Sequence, residues 1–279
     1  MNENKRTLKR LIIIVSYLFI IALLVFLYYF FKASGETCSD GIKNQNEEAV
    51  DCGGDCSPCQ NIKVEPLQAL EAGVTESGRE GMVDIFARIE NPNVQIGAKE
   101  VSYDFVAVDD QGEELGVFSC TTFLLPQETK FVFQANAKLE KNKINKIVWR
   151  VKNINWVKFN TAFQNPQLKI VNKKLDVDDS ESFASGLLRN ESPYDLSLIK
   201  IKVILLDAKN KIRYINFTDM RTVKSQEERG FKVFWPGTLP NDIVKVEVEA
   251  EVNVFDPQSF FREYYETQKF QEFVSDKNQ

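Results

Sequence analysis

From Leu11 to Phe31 the chain reads LIIIVSYLFIIALLVFLYYFF, without a single charge. At about 1.5 Å per residue, such a run makes a helix of roughly 31 Å, the thickness of a bilayer's hydrocarbon core. A backbone in lipid must satisfy its own hydrogen bonds, so one spanning helix over 11–31 follows. A cleaved signal peptide has a shorter apolar region, about 7–15 residues, ending at a small-x-small site. Here Lys32 stands directly before the small residues Ala33, Ser34 and Gly35, and we expect an uncleaved anchor. Lys5, Arg6, Lys9 and Arg10 crowd the N-terminal side, which the positive-inside bias keeps in the cytoplasm as a tail of residues 1–10. Tyr28 and Tyr29 suit the aromatic belt at the outer end. The expected location is the cell membrane, single-pass, with the body extracytoplasmic.

Export gives the next segment its meaning. Residues 36–60 contain Cys38, Cys52, Cys56 and Cys59, four of the five cysteines in the chain. In an oxidising compartment closely spaced cysteines read as disulfides, and a segment this short cannot bury a core without staples. Four cysteines allow three pairings, and the spacing does not choose among them. Asp40, Asn44, Asn46, Glu47 and Asp51 add hard oxygen ligands on a loop that Gly41, Gly53 and Gly54 let turn tightly. Calcium is the candidate cofactor, although the spacing is not that of an EF-hand; a solvated acidic loop around two disulfides is the alternative. A zinc ribbon would need a second CxxC knuckle, and a thioredoxin-type dithiol would need a βαβ setting. Neither is present in the sequence.

The pattern C-x-D-G-x-x-N-x-x-E-x-x-x-D-C-G-G-x-C-x-x-C, from Cys38 to Cys59, resembles a short cysteine-rich motif of bacterial and archaeal surface proteins. Its DCGGDC end is distantly similar to the calcium-binding Lin12/Notch repeat, which uses six cysteines. The resemblance implies a location and a style of module, not an activity.

Beyond Cys59 the texture becomes strand-like. Val101, Tyr103 and Phe105 alternate with Ser102 and Asp104, the mark of a half-buried strand. About 99 positions later the same order returns. FASGLLRNESPYD repeats ARIENPN with Asn190 in register with Asn91, and the IKVILLDAKNKIRY hairpin repeats YDFVAVDDQGEEL, both turning on an aspartate. A period near 100 residues with about seven short strands is the size of an immunoglobulin-like sandwich. We expect a mainly β protein with two tandem immunoglobulin-like β-sandwiches, over 62–160 and 167–256, and a C-terminal aromatic and charged tail over 257–279.

A strand, then NPN, an alternating aromatic strand, and a P-x-x-T/S segment before another strand is similar to the FxLYD and late-embryogenesis-abundant type 2 class of envelope β-sandwiches. The likeness runs from Val64 to Phe159 and more faintly from Leu168 to Phe255. In the second copy Ser225 replaces the proline and Glu191-Ser192 replaces Pro92-Asn93. What the resemblance implies is a spacer or binding module.

Chemistry is constrained by a chain with no histidine. Ser-His-Asp, Cys-His and HExxH arrangements are excluded, and neither GxGxxG nor GxxxxGK[ST] occurs. Asp176 to Glu181, DVDDSE, falls where a hairpin turn is expected. Cys120 reads as an inward-facing core thiol on a strand, and Trp149, Trp156 and Trp235 as core or junction packing. Phe260, Phe261, Tyr264, Tyr265, Phe270 and Phe273 would line one side of a short helix after Pro257. No basic stripe marks a nucleic-acid partner. The expected function is non-catalytic: presentation of two sandwiches for adhesion or envelope assembly with other surface proteins. The alternative is an extracytoplasmic hydrolase using carboxylates or calcium.

Overall fold

The computed structural model describes residues 3–32, 38, 43, 46–47, 51–54, 56, 63–159, 165–178, 181–260 and 270–272. The chain divides into two compact units, Met1–Gln60 and Asn61–Gln279. In the first, α1 (Glu3–Lys32) contains the apolar run. Its described large side chains between Leu11 and Phe26 stand 46% to 68% exposed. One helix is thus long and apolar enough to cross a membrane.

The second unit holds two β-sandwiches built to one plan. Strands β1 (Gln68–Glu76), β2 (Val83–Glu90), β3 (Ile96–Val108), β4 (Glu114–Leu124), β5 (Thr129–Ala137) and β6 (Lys146–Phe159) make the first. Strands β7 (Leu168–Val177), β8 (Glu181–Asn190), β9 (Leu196–Asp207), β10 (Ile212–Val223), β11 (Glu228–Pro236) and β12 (Ile243–Glu251) make the second. The first pairs β1-β2-β5 against β6-β3-β4; the second pairs β7-β8-β11 against β12-β9-β10. All pairings are antiparallel. Among the described residues each copy has six strands of its own, against the expected number of about seven. In the first copy the missing edge position beside β6 is filled from far away, by β13 (Phe270–Glu272), with Phe270 opposite Phe159.

Alternation builds each core. Val83, Ile85, Ala87 and Ile89 of β2 face Val101, Tyr103 and Phe105 of β3, with Trp156 of β6 closing the cluster. In the second copy Ala184 and Leu188 face Ile199, Ile201, Val203 and Leu205, with Val233 and Trp235. Turn chemistry repeats too. Asp109 Oδ1 accepts the amides of Gln111 and Glu113 between β3 and β4, and Asp207 Oδ1 accepts those of Lys209 and Lys211 between β9 and β10. These are Asx turns, in which the side chain replaces a backbone partner.

The two sandwiches are not independent beads. Phe86 of β2 and Phe131 of β5 turn away from their own core and bury against Ile204 and Leu206 of β9 and Ile212 and Ile215 of β10. Phe133 and Phe217 meet beside them at 5.3 Å between ring centres. A second contact joins Phe123, Leu125, Val157 and Phe159 to Val254 and Phe255. The chain leaving β12 makes a single 3-10 turn, Pro257–Ser259, and Phe260 then packs on Tyr194. The tail departs from expectation here: Phe270 lies in a strand, because β6 presents an open edge whose peptide groups a strand can pair and a helix cannot. Residues 261–269 and 273–279, including Phe261, Tyr264, Tyr265 and Phe273, lie outside the described residues.

Candidate functional site

The strongest concentration of buried charge lies in the joint between the sandwiches. Strand β9 is central in its sheet and packed on both faces, with Ile201, Val203 and Leu205 toward its own core and Lys202, Ile204 and Leu206 toward the other sandwich. Lys202 Nζ stands 2.8 Å from Glu251 and donates at 2.8 Å to the carbonyl of Phe131. Lys130 Nζ approaches the same Glu251 oxygen at 3.1 Å and sits 3.5 Å above the ring of Phe123. Glu249, two residues before Glu251 on β12, accepts the Phe131 amide at 3.1 Å. Strand β5 is the edge of its sheet, so Phe131 would otherwise leave its peptide group unpaired; side chains from the second sandwich take the place of a neighbouring strand.

Burial and neighbours push the two carboxylates in opposite directions. Desolvation would raise Glu251, but the ammonium groups of Lys130 and Lys202 outweigh it and hold the carboxyl down to about 2. Desolvation dominates at Glu249 and raises it. Burial pulls Lys202 below the usual lysine range, opposed by Glu251. A split pair of carboxylates is the pattern that two-carboxylate catalysis uses. Here two cations match two anions, and the contacts engage a peptide group and the partner ammoniums. Chemically the arrangement fastens two sheets together.

Of the cysteines singled out in the sequence, Cys38 and Cys56 are joined, and Cys52 is also disulfide-bonded. Cys59, Asp40 and Asn44 lie outside the described residues. Asn46 and Asp51 adopt left-handed backbone (φ 65° and 59°), as do Gly53 and Gly54. A side chain at Gly54 would collide with the Asn46 carbonyl, so this crossing requires glycine. Glu47 is buried and accepts the Asp51 amide at 3.1 Å. Among the described residues, no group of three or more His, Cys, Asp or Glu is gathered as a metal site.

The remaining candidates fall into packing roles. Cys120 is half-buried on β4 against the first core, and desolvation raises its thiol. Trp156 and Trp235 are buried in the two cores, while Trp149 packs against the first and contacts Tyr103. Asp176, the last residue but one of β7, pairs with Lys174, and Glu181 opens β8 antiparallel to it, so DVDDSE falls at the turn of a hairpin as expected, with Asp179 and Ser180 outside the described residues. Sequence reasoning missed Lys130, Lys202, Glu249 and Glu251. Their signal was IKVILL in β9, a nearly unbroken apolar run of the kind that strands covered on both faces show.

No family model matches the chain, and no curated protein matches it. Among solved structures, red sea bream transglutaminase is similar at 11% identity and a TM-score of 0.20, over 68% of this chain and 29% of that one. Bacteroides uniformis β-glucuronidase matches at 13% identity and a TM-score of 0.19, over 64% of this chain and 28% of that one. The C-terminal globular domain of the Pyrococcus abyssi oligosaccharyltransferase matches at 12% and 0.16, over 66% of this chain and 46% of that one. The chain thus spans under a third of the first two proteins and under half of the third. Likenesses this slight carry no argument about activity.

Proposed function

We propose that the chain is a membrane-anchored extracytoplasmic binding or structural protein that presents a rigid pair of β-sandwiches for adhesion or envelope assembly, without catalysis. The observation that carries this reading is the joint. A buried aromatic and aliphatic cluster and a neutralised Lys130–Glu251–Lys202–Glu249 quartet turn two small domains into one stiff body. Stiffness preserves the spacing between binding loops, whereas a flexible linker would scatter it. Further support comes from α1, which is long and apolar enough to cross a membrane, and from disulfides, which persist in oxidising compartments. The likeness of the cysteine segment to surface-protein motifs and of the body to envelope sandwiches agrees with this placement. The acidic cysteine loop would then be a stapled stalk, with calcium as its candidate ligand.

The test is protease treatment of intact cells making the full chain, followed by cross-linking and recovery from detergent-solubilised membranes. The reading expects digestion of residues beyond α1 from outside and recovery of other envelope proteins. Full protection of the body in intact cells, with digestion only after lysis, overturns it.

A further inference from the structure

The pattern N-x-S/T, with x not proline, occurs at two places in the sequence: Asn190-Glu191-Ser192 and Asn216-Phe217-Thr218. In an exported chain this pattern is the acceptor for N-linked glycosylation, and acceptance requires a reachable side-chain amide. The fold separates the two. Asn190 is fully buried, and its Nδ2 donates to the carbonyls of Tyr194 at 2.8 Å and Lys224 at 3.0 Å, so both amide hydrogens are committed. Ser192 of the same triplet is buried as well and binds back to Asn190 Oδ1. Neither group is available.

Asn216 is placed differently. It lies on β10, an edge strand of its sheet, and is only partly buried. One Nδ2 hydrogen goes to the Phe234 carbonyl at 2.7 Å, and Oδ1 accepts the Phe217 amide at 2.9 Å. Its second amide hydrogen remains. Successive side chains on a strand point to opposite faces, so Phe217, which meets Phe133 in the joint, lies on the other face of β10 from Asn216.

We propose that Asn216 carries an N-linked glycan in the exported protein and that Asn190 carries none. The donor is a lipid-phosphate-linked oligosaccharide. Nδ2 forms a bond to C1 of the first sugar, the C1–O bond to phosphate breaks, the lipid phosphate leaves with the electron pair, and the proton lost by Nδ2 passes to it or to solvent. The glycan would shield the β10 edge from pairing with a foreign strand. This rests on the export proposed above.

The experiment is peptide mass mapping, without reduction, of the full chain and of Thr218→Val, both isolated from the cells that normally make the protein. The expected result is a hexose- or hexosamine-bearing Asn216 peptide in the wild type, none in Thr218→Val, and an unmodified Asn190 peptide in both. An unmodified Asn216 with Cys38–Cys56 oxidised overturns this inference alone, and so does a glycan on Asn190. Reduced cysteines with an unmodified Asn216 would instead count against export itself.

Discussion

Asn91 and Asn190, 99 residues apart, do one job twice. Asn91 Nδ2 donates to the carbonyls of Ile96 at 2.7 Å and Leu125 at 2.9 Å, and its Oδ1 accepts the Asn93 amide. Asn190 does the same with Tyr194, Lys224 and Ser192. Each ties the exit of one strand to the entry of the next and to the turn before β5 or β11. Replacing either by alanine orphans buried carbonyls and an amide at about 1–3 kcal/mol each. We expect Asn91→Ala and Asn190→Ala each to lose at least about 2 kcal/mol, seen as a fall of about 4–8 °C in melting temperature. The double variant should lose the sum, since the two pegs share no partner. A loss below about 0.5 kcal/mol in either would show the pegs to be dispensable.

The ion quartet predicts non-additivity. Lys202→Met removes the donor to the Phe131 carbonyl and leaves two buried carboxylates facing one ammonium. Breaking a buried pair this way costs about 3–5 kcal/mol. Removing Glu251 as well restores the charge balance, because Lys130 and Glu249 remain. The pair Lys202→Met and Glu251→Gln should therefore cost less than its parts by more than about 1 kcal/mol in a double-mutant cycle of urea midpoints. Zero coupling would mean that the quartet is only a geometric coincidence.

Acid should act on the same joint with a definite sign. Glu251 is held down to about 2 against an ordinary value of 4.5, so its contribution is complete above the ordinary value and lost as pH falls toward the folded one. Glu249 is raised by burial, so it opposes folding at neutral pH and relaxes as acid protonates it. The stability gap between wild type and Glu251→Gln should thus be widest at neutral pH and narrow steadily as pH falls below the ordinary carboxylate value toward the folded one. Glu249→Gln, which keeps an acceptor for the Phe131 amide, should cost less at neutral pH than Glu251→Gln does. A gap that widens in acid would reverse the assignment.

How legible this was depended on the range of each interaction. Local signals read well: the period-two pattern at Val101, Tyr103 and Phe105, the aspartate turns at Asp109 and Asp207, and the repeat register at Asn91 and Asn190 all lie within a strand or a turn. The joint did not, because each strand was read as having one wet face. The clue lay in differences between the copies. Phe86 and Phe133, opposite each other on β2 and β5, correspond 99 residues later to Ser185 and Lys232, also opposite each other. A repeat that is aromatic on its outer face in one copy and polar in the other is reporting that only one of those faces is covered. Strand β13 gave no such clue, since three residues pairing with a strand more than a hundred positions away leave no periodicity to read.

Two glycines separate close approach from mere permissiveness. Gly97 of β3 lies opposite Val157, and a Cβ there would run into the ring of Phe159 and stand 3.0 Å from the Leu124 carbonyl. Phe159 cannot easily yield, because its ring is held edge-on by Phe255 at 5.6 Å in the second contact between the sandwiches. Gly97→Ala should therefore cost about 1–3 kcal/mol, as overpacking does. Gly230 of β11 is the control: a Cβ there meets its nearest atom, Leu187 Cδ2, at 3.8 Å, an ordinary contact. Gly230→Ala should be neutral or gain up to about 1 kcal/mol by restricting the unfolded chain. Equal effects of the two substitutions on the thermal midpoint would mean that the Phe159 ring is free to move, and that the contact around Phe255 does not fasten the sandwiches.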